Sequence, residues 1–263
     1  MNGIQWSRQE KIIIVILIVL SAVAWIITVH HSQSMSGSES MEMQMSMTME
    51  NRPLILEAAL FLAMWTIMMI AMMFPAVSPM VLLFRTVHEK RKATSESFIP
   101  TWVFVLGYLL VWAFFGVLAY FADRLIGHLA MSSPKLQSYG LAIGGLVFIL
   151  AGLYQLTPLK NVCLAHCRSP LHFIMHRWRE GYLGSLIMGI DHGTYCLGCC
   201  WGLMLVLFVV GIMNIAWMGI LTLIIFVEKI SKHGVTVSKL VGCSLIVLGI
   251  VMIVRPAIVS SVL

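Results

Sequence analysis

Long apolar runs alternate with short polar stretches along the 263 residues of the chain. Runs of about 20 apolar residues with few charges are typical of transmembrane helices. The pattern therefore predicts an all-α fold, a polytopic transmembrane helical bundle of about seven spans. The predicted spans cover residues 12–29, 54–84, 101–122, 136–156, 183–210, 215–227 and 235–254.

Prolines and glycines refine this pattern. Pro75 and Pro79 fall inside the second span, and proline there should kink or break the helix, so we expect a bent half-helix. Gly140 and Gly144 have a spacing in the fourth span that lets helices approach closely. Residues 158–182 are basic and predict a loop before the fifth span.

Three segments follow from this organisation. Residues 1–29 form an N-terminal membrane anchor, which begins like a signal peptide but continues far enough to span the bilayer uncleaved. Residues 30–53 are polar, rich in methionine and without a packing period, so we expect a disordered loop. Residues 54–256 form a six-span metal-binding membrane core.

Composition excludes an ordinary soluble domain. Hydrophobic residues make up 60% of the chain, charged residues only 11%, and the mean hydropathy is +0.94. Soluble domains carry about 25% charged residues. The net charge of +6 would suggest nucleic acid in a soluble protein, but here we expect a lipid bilayer as partner and no nucleic acid.

The positions of lysine and arginine predict the orientation. With a cytoplasmic N-terminus, the residues outside are Arg52, Arg124, Lys135 and Arg255, which leaves thirteen of the 17 basic residues in the cytoplasm. Cytoplasmic loops of membrane proteins carry such an excess. We therefore predict a multi-pass protein of the inner (plasma) membrane with its Met-rich loop on the outer side.

The fifth span carries the most informative cluster of candidate ligands. His192, Cys196, Cys199 and Cys200 are three or four residues apart and share one face of a helix. Ionisable groups inside a membrane usually mark a functional site, and soft thiolates select Cu(I). Two alternatives are small buried cysteines that only pack, and a redox pair of Cys196 and Cys199.

A second candidate site lies in the basic loop. Cys163, Cys167, His172 and His176 offer two thiols and two imidazoles, a set that suits tetrahedral zinc or Cu(I). The alternative is a basic juxtamembrane loop in which histidine and arginine contact lipid phosphates.

Methionines supply two further candidates. Met64, Met68 and Met72 recur every fourth residue in the second span, either as a thioether ladder for Cu(I) or as a flexible packing face. The outer loop repeats methionine at alternate positions, including Met43, Met45 and Met47. An unfolded polar segment has no core to fill, so there we favour copper capture.

Several of these motifs resemble a known family. The Met64–Met80 stretch with its prolines, Cys196-x-Gly198-Cys199-Cys200, the Cys163-x3-Cys167 pair and the Glu228-Lys229 ending are similar to predicted metal-binding integral membrane proteins. The resemblance covers about residues 54–254, and members are sometimes labelled copper chaperones. It implies a membrane protein that binds metal.

Copper handling is the function that these features favour. Cu(I) would be collected by the outer methionines, held by the fifth-span thiols and passed to a metalloprotein partner or accepted from a copper donor. No ATP-binding Gly-x4-Gly-Lys-Ser/Thr motif is present, and no ATPase or hydrolase motif indicates an enzyme. The alternatives are a membrane oxidoreductase dependent on copper or thiols, and an assembly subunit without metal. Oligomerisation stays open.

Overall fold

The computed structural model describes residues 8–36, 53–92, 101–132, 139–212 and 214–255. These residues form nine α-helices and no strand, so the predicted all-α class is confirmed. The helices are α1 (Arg8–Ser36), α2 (Leu54–Lys92), α3 (Thr101–Ser132), α4 (Gly140–Leu156), α5 (Pro158–Arg168), α6 (Pro170–Arg177), α7 (Gly181–Val210), α8 (Ile215–Ile230) and α9 (Gly234–Val254).

Several helices are long and apolar enough to cross a bilayer, as expected of a membrane protein. Five meet this condition within the described residues, namely α1, α2, α3, α7 and α9. Helices α4 and α5 meet at a bend of 63° and would add a sixth span if the pair were one broken crossing. Helix α8 has 16 residues, which at a rise of about 1.5 Å each is shorter than the hydrocarbon core.

Helix α2 does not break at its prolines, which corrects the predicted half-helix. Proline lacks the N–H that would bond to the carbonyl four residues earlier. The carbonyl of Ala71, left by Pro75, accepts instead from Ser21 Oγ at 2.9 Å and from Trp25 Nε1 at 3.1 Å. The carbonyl of Pro75, left by the second proline, accepts from the Ser78 hydroxyl at 2.9 Å. Neighbouring hydroxyl and indole groups thus keep the helix continuous.

The boundaries of other elements also differ from the predictions. Helix α1 continues to Ser36, beyond the predicted end of the anchor at residue 29. The basic segment predicted as a loop at 158–182 is largely two short helices, α5 and α6. Both are amphipathic, with Lys160 and Leu164 buried on α5 and Phe173 and Ile174 on α6. A short amphipathic helix is hard to recognise from charge alone.

The chain forms two compact units. Unit 1 comprises Met1–Phe114 and His166–Tyr195, and unit 2 comprises Phe115–Ala165 and Cys196–Leu263. In unit 1, α1 and α6 pack on α2, whose buried face includes Met68, Met69, Met72 and Met73. In unit 2, α9 packs on α4 and on α8.

Two reciprocal glycine pairs bring α4 and α9 into backbone contact in unit 2. A Cβ atom on Gly145 would lie 2.7 Å from the Gly249 carbonyl oxygen, and one on Gly152 would lie 2.6 Å from that of Gly242. Of the two glycines predicted from sequence, Gly144 does lie in a close contact, because a Cβ there would be 3.2 Å from Met252 Cε on α9, whereas one on Gly140 would meet nothing within 4 Å. Small residues let membrane helices approach this closely.

Candidate metal centre

Three thiols of α7 form one cluster in unit 2. Cys196, Cys199 and Cys200 are each at most 2% exposed. The Cys199 and Cys200 thiols both donate to the carbonyl of Cys196, at 3.1 and 2.9 Å. Both sulfurs therefore lie within about one hydrogen-bond length of the same backbone oxygen. The helical spacing thus places Cys199 and Cys200 one turn after Cys196, with both thiols on its carbonyl, and a shared metal stays a prediction.

A fourth thiol joins this cluster from α5. A Cβ atom on Gly198 would lie 2.8 Å from Cys163 Sγ, so a larger residue there would require the Cys163 side chain to move. Cys163 also lies near Cys199. The Tyr154 hydroxyl, from the end of α4, donates to the Gly198 carbonyl. Because Cys163 is partly exposed and the α7 thiols are buried, it is the most accessible sulfur of the cluster.

Lys229 places a positive charge against the cluster. Its Nζ donates to Cys196 Sγ over 2.9 Å, and the residue is 8% exposed. A cation beside a cysteine favours the thiolate, which is the form that binds metal. The end of α8 thus supplies an electrostatic partner that the sequence did not reveal.

A buried polar network lies next to Lys229 along the chain. Lys160 on α5 is 0% exposed, and its ammonium pairs with Glu228 Oε2 at 2.8 Å. The same ammonium donates to the side-chain carbonyl of Gln155, whose backbone carbonyl accepts from Ser238 Oγ at 3.1 Å. Breaking a buried ion pair on one side costs about 3–5 kcal/mol. This network therefore fixes α5, and Cys163 with it, relative to α4, α8 and α9.

His192 lies on the part of α7 that belongs to unit 1. It is buried, and its ring centroid is 5.5 Å from that of Phe173 and 6.0 Å from those of Phe104 and Tyr108. The preceding Asp191 carboxylate pairs with Arg177 at 3.6 Å. The neighbours seen for His192 are thus aromatic rings, and its role as a ligand stays a prediction.

The predicted Cys/His site falls into both units. Cys163 belongs to unit 2, whereas Cys167, His172 and His176 belong to unit 1. The rings of His172 and His176 stack at 4.1 Å, and His176 Nδ1 lies 3.0 Å from the His172 carbonyl oxygen. This arrangement pairs the two imidazoles with each other on the exposed side of α6.

The predicted methionine ligands have different environments. Met68 and Met72 are fully buried in unit 1, and Met64 is partly exposed on the same helix. The burial of Met68 and Met72 is expected both of a packing face and of a thioether ladder for Cu(I). Met43, Met45 and Met47 lie outside the described residues.

No group of three or more His, Cys, Asp and Glu side chains poised to hold a metal ion occurs in the part of the chain that the structure describes. A preformed tetrahedral zinc site is therefore not found there. Cu(I) makes a smaller demand, because this soft ion forms stable linear complexes with two thiolates. The thiol cluster of unit 2 contains enough sulfur for such a complex.

Sequence reasoning missed Lys160 and Tyr154, and it noted Glu228 and Lys229 as a family motif without assigning them a role. The two lysines were counted as cytoplasmic charges, whereas both are buried. One signal was available, because an acidic and a basic residue stand together at the end of the apolar stretch 215–227. Their partners come from α5 and α7, which no local pattern could indicate.

A comparison with family models identifies the relatives of the chain. The model described as PpoB2, copper chaperone, matches residues 62–252, a stretch that contains the whole thiol cluster and Lys229. The chain belongs to the PpoB2 copper chaperone family. The resemblance seen in the sequence motifs is thereby confirmed, and membership in this family suggests copper handling. No curated protein matches the chain. No solved structure matches it either.

Proposed function

We propose that this PpoB2 family member holds Cu(I) on the thiols of unit 2 and passes it to a partner metalloprotein. The observation that carries the proposal is the convergence of Cys196, Cys199 and Cys200 beside Cys163 in a chain of a copper chaperone family. Thiolates are the protein ligands that Cu(I) prefers. Four neighbouring sulfurs also allow the ion to move by ligand exchange, with one bond forming as another breaks.

Cys163 is the sulfur best placed to begin or end this exchange. It is partly exposed, whereas the α7 thiols are buried. A copper ion held on the buried thiols can reach a partner only through a sulfur that the partner can approach. We therefore assign retention to the α7 thiols and exchange with the partner to Cys163.

The methionines would act before the thiols in this sequence of steps. Met43, Met45 and Met47 would collect Cu(I) on the outer side of the membrane, and Met64, Met68 and Met72 would receive it as weak, neutral ligands. His192 would be a ligand at the unit 1 end of the same α7 stripe. Met68, Met72 and His192 are buried within unit 1, where such ligands would be shielded from water.

The proposed setting is the inner membrane, with the N-terminus in the cytoplasm and seven spans. The five long helices, the bent α4–α5 pair and the shorter α8 would make up these crossings. Leaving out the buried Lys160 and Lys229 reduces the thirteen cytoplasmic basic residues to eleven, against four outside. The charge asymmetry that supports this orientation therefore survives.

Copper binding by the purified protein tests the proposal. We expect the detergent-purified wild type to bind Cu(I) in competition with a chromogenic chelator, and the triple variant Cys196→Ser, Cys199→Ser, Cys200→Ser to lose most of this binding. Cys243→Ser is the matched control, because this cysteine is exposed on α9. Equal copper content in the wild type and the triple variant would remove the site. Elemental analysis of the same samples tests zinc at Cys163 and Cys167.

A thiol oxidoreductase is the second candidate, favoured by the cation beside Cys196. Two thiols would form a disulfide, and the two electrons and two protons would reduce a quinone in the membrane. Incubating the metal-free protein with a short-chain quinone and counting the remaining thiols decides between the two functions. Loss of two thiols with formation of quinol would support the enzyme, and unchanged thiols would support copper handling.

A further inference from the structure

The buried charges of unit 2 do not balance when all its thiols are neutral. Within the described residues of this unit, the buried charged side chains are Lys160, Glu228 and Lys229, two ammonium groups and one carboxylate. Lys160 and Glu228 pair at 2.8 Å. The Lys229 ammonium lies 2.9 Å from Cys196 Sγ. Glu228 is also within electrostatic reach of Lys229, so one carboxylate serves two ammonium groups and one positive charge is in excess beside the sulfur cluster.

This excess positive charge is costly in an apolar interior. A charge removed from water is stabilised only when an opposite charge lies nearby. A Cu(I) ion bound by two thiolates carries one net negative charge. The same linear complex of a divalent ion such as Hg(II) is neutral. The positive charge of Lys229 therefore complements the anionic complex that a monovalent ion forms with two thiolates. It does not complement the neutral complex of a divalent ion.

We propose that Lys229 is the counter-cation of the loaded copper site and makes it selective for monovalent soft cations. Lys229 does not bind the metal in this role, but acts through its charge on the complex that Cys196 helps to form. The inference rests on the proposed function, because it requires that the α7 thiols bind Cu(I). It goes beyond that function by naming the residue that selects the charge of the ion.

The position of Lys229 supports a charge role. Its neighbour Glu228 is held by Lys160, and Ser231 ends α8 two residues later, so the lysine sits in a fixed final turn. The cysteine that it contacts is fully buried. Ion pairs and charged hydrogen bonds in such surroundings are screened little by salt. The effect on bound metal should therefore be large and nearly independent of ionic strength.

The test compares two metals with the same linear geometry and different charge. Ag(I) serves as the monovalent probe and Hg(II) as the divalent probe, each titrated into metal-free, detergent-purified protein in competition with a soluble thiol. Removing a hydrogen bond to a charged group typically costs enough to change affinity about 10- to 100-fold. We expect Lys229→Met and Lys229→Gln to weaken Ag(I) and Cu(I) by about this factor relative to Hg(II), and Lys229→Arg to restore the ratio.

The outcomes separate this inference from the proposed function. Wild-type protein that binds neither Cu(I) nor Ag(I) at its thiols overturns both. Wild-type binding with equal losses of Ag(I) and Hg(II) in the two neutral variants overturns only the role of Lys229, because a purely structural lysine would affect both metals alike. Circular dichroism and size-exclusion profiles confirm that Lys229→Met and Lys229→Gln are folded before they are titrated.

Discussion

The hydrogen bonds that replace the missing N–H of Pro75 allow a quantitative test of how α1 stabilises α2. Ser21 and Trp25 both donate to the Ala71 carbonyl. Removing one donor leaves the other in place, so Ser21→Ala or Trp25→Phe should each cost only about 0.6 kcal/mol from the lost bond. Removing both leaves a buried carbonyl without a partner, which costs about 1–3 kcal/mol. The two substitutions should therefore be non-additive.

A double-mutant cycle in mixed detergent micelles measures this coupling. Unfolding is followed by far-UV circular dichroism as the denaturing detergent is increased. Packing changes caused by Trp25→Phe occur on both sides of the cycle and cancel. We expect a coupling energy of about 1 kcal/mol, with the double variant less stable than the sum predicts.

Pro75→Ala is the matched control for this cycle. It restores the N–H of residue 75, which can bond to Ala71 and make both donors dispensable. The coupling should then fall to within about 0.3 kcal/mol of zero. Additive losses in the wild-type background, or coupling that persists without the proline, would refute the account of how α2 stays continuous.

Three further predictions concern the site and its supply of copper. Gly198→Ala should displace Cys163 and lower Cu(I) affinity at least several-fold in a chelator competition, whereas Gly219→Ala, where a Cβ meets nothing within 4 Å, should not. Lys160→Met should cost about 3–5 kcal/mol in detergent unfolding, and adding Glu228→Leu should recover part of it, because one partner alone is a buried uncompensated charge; no recovery would contradict the ion-pair explanation. Deleting residues 35–49 should reduce cellular copper accumulation without changing Cu(I) affinity of the purified protein, and unchanged accumulation would make that segment a spacer.

The sequence revealed the helices because hydrophobic length is a local property. Each predicted span has a helix at its position, and the cysteine stripe needs only the helical repeat to bring its sulfurs together. The contact between Gly198 and the Cys163 sulfur was not predictable, because it depends on the bend between α4 and α5. Local periodicity cannot show which two helices meet.

The errors have the same origin. The prolines predicted a break because their own helix offers no replacement donor for Ala71, and the donors come from residues about 50 positions earlier in the chain. Lys160 and Lys229 were counted only as cytoplasmic charges, and their burial was not foreseen because their partners are distant in the chain. Polar groups in an apolar interior depend on tertiary contacts, and these contacts are what the sequence alone could not supply.

The glycine contacts between α4 and α9 make distant positions relevant to the chemistry of the sulfurs. Gly145 meets Gly249 and Gly152 meets Gly242, so the helices run antiparallel with their main chains touching at two levels. Helix α4 then leads through the 63° bend into α5, which carries Cys163. A larger side chain at any of these four glycines would push α4 and α9 apart. The movement of α4 would then shift α5 and the Cys163 thiol. A substitution that impairs the proposed copper transfer need not touch a ligand at all.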